Sequence, residues 1–236
     1  MRNDTLPNPH RPTNVPPHAE VCLQALVMQG LSGRISLGGA FGLLHYFDHR
    51  PTHDVDAWWA ASVTSAERGE VIRAIEAALS PYGQVQKRCW GDVVSVELHQ
   101  GDRAVFSFQI AQRSVQLQPS VTARWLGVPL DSFADVVASK MVALIERGAP
   151  RDFRDVYALC KAGLTAPDGC WQLWRQRQQL AGSDADVHRA RLAIQTHLAR
   201  IALHRPLEGI RDPDQRAEAE RVRTWFQEEF SGASLD

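Results

Sequence analysis

The segments Leu37-Gly38-Gly39-Ala40 and Arg50-Pro51-Thr52-His53-Asp54-Val55-Asp56, which flank a short apolar run, decide how this chain folds. Side chains alternate along a strand, so Asp54 and Asp56 project from one face. Two neighbouring carboxylates repel each other unless a cation lies between them, and Mg²⁺ takes one or two carboxylates together with phosphate oxygens. A glycine pair lets backbone N–H groups approach a phosphate where a Cβ would obstruct. The two segments therefore predict a phosphate-binding backbone next to a metal-binding pair of carboxylates. Enzymes of nucleotidyl or phosphoryl transfer need both.

The length and composition restrict the class of protein. The chain has 236 residues, enough for one large or two small domains, and a net charge of -1, so any contact with nucleic acid needs a local basic patch. No apolar run approaches the ~20 residues that span a bilayer, so no membrane partner is expected. The four scattered cysteines form no CxxC motif, which indicates reduced thiols in a cytoplasmic protein without a zinc site.

Hydrophobic periodicity predicts an α+β fold in which a small mixed sheet with flanking helices precedes a helical part. The proline-rich residues 1–17 are predicted to be a flexible segment without a signal peptide. Residues 18–130 are predicted to form an α/β core, and residues 131–236 a helical part that completes the active-site cleft. Predicted strands cover residues 34–37, 54–59, 85–89, 93–98 and 104–110, and predicted helices cover residues 19–29, 40–47, 65–79, 133–146, 152–161, 169–179, 185–204 and 212–229.

A lysine lies on the apolar stripe of the helix predicted over residues 133–146. The chain has 23 arginines but only three lysines, and Lys140 is the one whose helical spacing directs it inward. A lysine at this place can extend its ammonium past the rim of a hydrophobic core. Alternatively, its compact ammonium suits a triphosphate inside a cleft, which is the function that we favour.

Two acids follow the second arginine of the segment Arg147-x-x-x-Arg151-Asp152-x-x-Asp155. On a helix, Asp152 and Asp155 are i, i+3 neighbours and share a face. An N-terminal cap that favours acids explains Asp152 well but explains Asp155 less well. Asp155 is a candidate ligand of a metal-bound water or a base toward the acceptor hydroxyl, and the structural and functional interpretations both stay open.

The histidines His45, His49 and His53 are spaced i, i+4, i+8, as on a metal-binding helix face. Pro51 interrupts any helix between the second and the third of them. We therefore expect a solvated or partly buried set rather than a metal site.

A basic segment lies near the C-terminus, over residues 188–205. It contains no acid, and its arginines are Arg189, Arg191, Arg200 and Arg205. Such a helix in a near-neutral protein could follow an RNA phosphate backbone, and an ordinary solvated face is an equal alternative.

Together these residues resemble the AbiEii/AbiGii family of nucleotidyltransferase-like toxins, including the MenT group. The family pattern is a strand, Gly-Gly or Gly-Ser, a helix, and Arg-x-Ser/Thr-x-Asp-Ile/Val-Asp, which corresponds here to residues 37–40 and 50–56. A lysine on a helix, a later arginine and Arg-Asp-x-x-Asp-Leu/Val-Tyr follow, which correspond here to Lys140, Arg147 and residues 151–157.

The resemblance implies a polymerase-β-like nucleotidyltransferase core and transfer of a nucleotide from an NTP, dependent on Mg²⁺ or Mn²⁺. It implies an RNA acceptor, the tRNA 3′ end, and a toxin whose partner is a cognate antitoxin protein in abortive infection, a phage defence. In the roles it implies, Asp54 and Asp56 hold the metal, Gly38 and Gly39 cradle the triphosphate, and Lys140 contacts the phosphates. Asp155 completes the catalytic set, and the resemblance places Thr52, Arg147, Arg151 and Asp152 in the nucleotide-binding set.

The chain departs from such folds on the strand expected over residues 106–110, where Gln109 stands at the position of a third carboxylate. Glu97, on the preceding strand, is a candidate substitute. Two alternatives therefore stay open: transfer to a small molecule or protein, and a degenerate module that binds a nucleotide or a partner without catalysis.

Overall fold

The computed structural model describes residues 7–230. Contacts divide the chain into two compact units, Met1–Val136 and Val137–Asp236, with the boundary inside one helix. The division falls a few residues beyond the predicted limit of the α/β core. Each unit has its own hydrophobic core.

The first unit is built on a seven-stranded sheet with the order β3-β4-β5-β2-β1-β7-β6. The pairs β2–β5 and β1–β7 are parallel and the other neighbours are antiparallel, so the predicted mixed sheet is confirmed. Its strands are β1 (Ile35–Gly38), β2 (Asp54–Trp59), β3 (Gln84–Trp90), β4 (Val93–Gln100), β5 (Arg103–Ala111), β6 (Val121–Ala123) and β7 (Val128–Leu130).

Helices cover one face of this sheet. They are α1 (Pro17–Met28), α2 (Gly39–Leu44), α3 (Ser65–Leu79) and the first turn of α4 (Phe133–Glu146). Helix α3 begins at a capping box between Thr64 and Glu67, which satisfies N–H groups that the first helical turn leaves unpaired. Its Arg68 lies over the ring of Trp59, 5.3 Å from the centroid, so α3 packs on the face that β2 buries.

Alternation along β2 separates the two faces of the sheet. Val55, Ala57 and Trp59 are buried toward the helices, whereas Asp54 and Asp56 lie on the opposite, partly exposed face. The period-2 pattern of the sequence thus places the acids outside the core.

Strands β6 and β7 were not predicted from the sequence. Each has three residues, too few to show an alternating pattern, and β7 contains Pro129. Leu130 pairs in parallel with Leu37, so β7 extends the sheet beside the strand that carries the glycine pair. Helix α2 ends at Leu44, three residues earlier than predicted.

The second unit is helical, as predicted. After the rest of α4 it contains α5 (Pro150–Lys161), α6 (Pro167–Leu180), α7 (Val187–His204), α8 (Pro213–Trp225) and a π-helical turn, Phe226–Phe230. Buried aromatic rings form its core, since Trp171, Phe226 and Phe230 are inaccessible to solvent. Within residues 7–230, no helix has the length and apolar character to span a bilayer.

Candidate active site

The strand register aligns polar side chains in two rows across the exposed face of the sheet. Asp54 pairs with Ser107 of β5, which pairs with Glu97 of β4. In the next row Asp56 pairs with Gln109. Gln109, which stands where the sequence analysis expected a third carboxylate, thus occupies the strand position directly beside the second acid.

The two acids of β2 have few partners of their own. The Ser107 hydroxyl donates to Asp54 Oδ1 at 2.9 Å. Within residues 7–230, neither Asp54 nor Asp56 forms an ion pair, and no three or more His, Cys, Asp and Glu side chains cluster as a metal site. Two carboxylates on one strand are a donor set that Mg²⁺ takes when phosphate oxygens and water supply the remaining ligands, so the residues fit this metal.

The glycine pair lies against β2, the strand that carries Asp54 and Asp56. Gly38 pairs with Asp56 across β1 and β2. A Cβ on Gly39 would overlap the Asp56 carboxylate, and φ at Gly39 is +58°, a left-handed value that glycine adopts without strain. A Cβ on Gly38 would overlap the Trp58 indole nitrogen. The pair therefore has a packing role that the sequence did not reveal, because it leaves room for Asp56 and Trp58.

Beside the glycine pair, Asp131 organises a network that sequence analysis missed. The Ser36 hydroxyl donates to its carboxylate at 3.0 Å, the Trp58 indole N–H donates at 2.9 Å, and Arg113 forms an ion pair with it. The Tyr46 hydroxyl donates to the Asp131 carbonyl at 2.6 Å. Asp131 thus links β1, β2, the segment after α2 and the segment after β5.

Burial determines the titration of this network. It raises the pKa of the Asp131 carboxyl, while the Arg113 guanidinium and the Ser36 hydroxyl oppose the rise. Burial and the nearby Asp131 charge also raise the pKa of Tyr46. The only sequence signal was an aspartate directly after an apolar triplet, Val128–Leu130, which gave no indication of its partners.

In the second unit, the structure brings Lys140 of α4 and Asp155 of α5 together. Lys140 Nζ lies 2.7 Å from Asp155 Oδ2, and both side chains are buried. The sequence predicted separate roles for the two residues. The Lys140 ammonium was expected to contact phosphates, and Asp155 to bind a metal-bound water or act as a base toward the acceptor hydroxyl. An ammonium has three N–H donors, so one carboxylate partner leaves two for other oxygens.

The turn between α4 and α5 is held by a second ion pair. Arg147 donates two parallel hydrogen bonds of 2.8 Å to Asp152, which also accepts the Ala149 N–H at 3.1 Å. This is the capping role that the structural interpretation of Asp152 predicted. Gly148 has φ of +53°, and a Cβ there would overlap the His197 ring. Arg151, in the first turn of α5, is exposed.

The remaining predicted site residues lie in more ordinary surroundings. Thr52 is buried, and its hydroxyl donates to the Asp54 carbonyl at 3.4 Å. His45 is fully buried, and burial lowers its pKa from 6.5 to about 4. Its Nδ1 lies 2.9 Å from the Phe41 carbonyl oxygen, so His45 is packed in the core, more deeply buried than the solvated or partly buried set that the sequence predicted.

On α7 the arginines are engaged to different degrees. Arg189 forms an ion pair with Asp184 at 2.6 Å, and Arg191 lies over Trp171, 5.6 Å from the ring centroid. Arg200 and Arg205 are exposed. RNA binding by this helix stays a prediction.

Comparison with known proteins identifies a family and a shared fold. The model of a family described as "Nucleotidyl transferase AbiEii toxin, Type IV TA system" matches residues 21–230. A crystal structure from H. pylori, provisionally described as a nucleotidyltransferase, aligns with a TM-score of 0.51 and 14% identity over 90% of this chain and 93% of that chain. A nucleotidyltransferase-like antigenic protein from Paracoccidioides brasiliensis aligns with a TM-score of 0.39 and 15% identity, over 87% and 92% of the two chains. A search of curated proteins finds no match.

The H. pylori structure shows that the fold is shared. The family match covers most of the chain and confirms the resemblance that residues 37–56 and 140–157 carry.

Proposed function

Because the chain belongs to the AbiEii family of nucleotidyl transferase toxins, we propose that this nucleotidyltransferase moves a nucleotide from an NTP to the 3′-hydroxyl of an RNA, with tRNA as the acceptor. The observation that carries the proposal is the placement of Asp54 and Asp56 on one face, with Asp56 directly against Gly39. A cation at the acids and a triphosphate at the glycine pair would then be immediate neighbours.

In this proposal Asp54 and Asp56 hold a Mg²⁺ or Mn²⁺ ion, which stabilises the negative charge that develops on the α-phosphate and on the leaving pyrophosphate. The Ser107 hydroxyl fixes the orientation of the Asp54 carboxylate. Backbone N–H groups at Gly38 and Gly39 bind the triphosphate. The Asp131 network keeps this backbone in place, because Trp58 and Asp131 pack across Gly38.

Lys140 would be the cation that contacts the phosphates. Lys140 keeps one hydrogen bond to Asp155 and directs its other donors to phosphate oxygens, so the buried charge stays compensated before and after the nucleotide binds. Arg147 and Asp152 shape the turn that carries α5, and Arg151 and Thr52 complete the nucleotide-binding set.

The biological setting is also part of the proposal. The family description names a Type IV toxin–antitoxin system, which supports a cognate antitoxin as partner, action in the cytoplasm and a function in phage defence. The exposed arginines of α7 support an RNA acceptor over a small molecule.

The test is incubation of the purified chain with Mg²⁺, each α-labelled NTP in turn and total tRNA, beside the double variant Asp54→Ala/Asp56→Ala. We expect label on RNA with the native chain only, and the label identifies the nucleotide. If the native chain binds NTP but labels no RNA, protein and small-molecule acceptors are tested next.

Gln109 favours one second candidate, a nucleotide-binding module without transfer. That candidate predicts tight NTP binding and no labelled product with any acceptor.

A further inference from the structure

A cavity with charged and apolar lining residues lies next to Asp54. It has a volume of about 660 Å³, within the range of roughly 300–1,000 Å³ that is typical of small-ligand sites. Asp54, Ser107 and Glu97 line its floor, and Arg88, Arg103 and His99 lie around it. The cavity therefore shares a catalytic acid with the proposed metal site.

We propose that this cavity binds the 3′-terminal ribonucleotide of the acceptor RNA, with Glu97 as the carboxylate that takes the proton of the attacking hydroxyl. This inference rests on the proposed function, in which the acids of β2 hold the metal and the glycine pair of β1 holds the triphosphate.

The order of the strands indicates from which side of β2 the acceptor RNA enters. Strand β1 lies on one side of β2, and β5 and then β4 lie on the other. The attacking and leaving oxygens of a phosphoryl transfer lie roughly in line, on opposite sides of the phosphorus. With pyrophosphate leaving toward β1, the acceptor must enter from β5 and β4, where the cavity is.

The chemistry of the lining supports a ribonucleotide. Glu97 lies in the row of Asp54, two inter-strand steps or about 10 Å away between Cα atoms. A carboxylate accepts hydrogen bonds from ribose hydroxyls, which DNA lacks at the 2′ position. The guanidinium of Arg103 suits the preceding phosphate.

Glu97 is itself held in place. His99 Nε2 lies 3.1 Å from Glu97 Oε2, and Arg88 Nε lies 3.3 Å from the same oxygen. The glutamate side chain is 14% exposed and the His99 side chain 10% exposed. The Arg88 guanidinium compensates the charge of Glu97 and the His99 ring contacts the same carboxylate oxygen, in a protein where Gln109 leaves the strand position beside Asp56 neutral.

The step then balances without another reactant. The acceptor oxygen forms a bond to the α-phosphorus, and the bond from that phosphorus to the bridging oxygen of the β-phosphate breaks. Pyrophosphate leaves with the electron pair, and the hydroxyl proton passes to Glu97.

The experiment measures binding and transfer separately, with a 5′-fluorescein-labelled single-stranded oligoribonucleotide as the probe. Fluorescence anisotropy gives its affinity, and labelled NTP gives the rate of transfer to it. Arg103→Ala should weaken the affinity for the probe about tenfold. It should also reduce the slope of log affinity against log salt concentration by the amount that corresponds to about one phosphate contact. Glu97→Gln should lower the rate at saturating probe about 100-fold, with probe affinity and the NTP-induced thermal shift preserved.

Arg73→Ala is the matched control, because Arg73 is an exposed arginine on α3, which packs on the opposite face. It should leave probe affinity unchanged. The inference is overturned if the native chain does not bind the probe, if Arg103→Ala binds as tightly as the Arg73→Ala control, or if Glu97→Gln transfers at the native rate. If probe binding depends on Arg103 but the native chain labels neither the probe nor total tRNA with any NTP, the cavity stands as an RNA site and the proposed function fails.

Discussion

In the first unit, Asp54 and Asp56 project from one face of β2 and neither forms an ion pair within residues 7–230, whereas in the second unit Lys140 and Asp155 form a buried ion pair. The first arrangement has unbalanced charge that a metal ion can neutralise. The second is complete without a ligand, because the desolvated charges already have each other. The difference indicates that the acids of the sheet would gain from a bound cation, whereas the Lys140–Asp155 pair needs no ligand to balance its charge.

The strongest test of this contrast removes one member of the buried pair. Lys140→Met should lower the free energy of unfolding by about 3–5 kcal/mol, since it removes the ammonium that lies 2.7 Å from the buried Asp155 carboxylate. Lys140→Met/Asp155→Leu should recover most of that loss, because an apolar pair of similar volume avoids the desolvation. Urea unfolding followed by circular dichroism measures both, and a double variant no more stable than the single one would contradict the argument.

A second test compares Gly39 and Gly148, which are both crowded and both have a positive φ. Gly39→Ala and Gly148→Ala each force a non-glycine residue to a positive φ, which costs about 1–3 kcal/mol of folding stability. Gly39→Ala should in addition abolish the thermal shift caused by Mg²⁺ with NTP, because the new methyl group displaces Asp56. Gly148→Ala should keep that shift.

Gly30→Ala is the control for backbone strain alone, since φ is +68° and no atom lies within 4 Å of the new Cβ. Loss of the ligand-induced shift in Gly30→Ala, or its survival in Gly39→Ala, would show that the glycine pair has no special relation to the acid.

The smallest effect is expected at the acids themselves. Without Mg²⁺, Asp54→Asn/Asp56→Asn should stabilise the chain by about 0.5–1 kcal/mol, because it removes the repulsion between neighbouring carboxylates. With Mg²⁺ and NTP the order should reverse, since only the native chain gains binding energy. Asp92→Asn, at the exposed β3–β4 turn, is the control in the same calorimetric scans.

The sequence predicted the parts of the site that are local. The alternation of β2 placed Asp54 and Asp56 on one face, and the helical spacing of α4 placed Lys140 inward, because both patterns are set within a few residues. The partner of Lys140 was not predicted, since a helix stripe does not reveal what faces it. Asp131 and Arg113 were missed for the same reason, because their link joins segments that are distant along the chain.

Strand β7 has a consequence for how the protein is made. Leu37 of β1 pairs with Leu130, which the ribosome adds 93 residues later. Until then, a growing chain can form the local β1–β2 pair, but it lacks the Asp131 carboxylate that accepts the hydrogen bond from the Trp58 indole beside Gly38. Long-range parallel pairing forms late and slowly. A nascent or truncated chain that ends before residue 131 should therefore lack an ordered glycine pair, and toxicity would begin only after synthesis has passed that point.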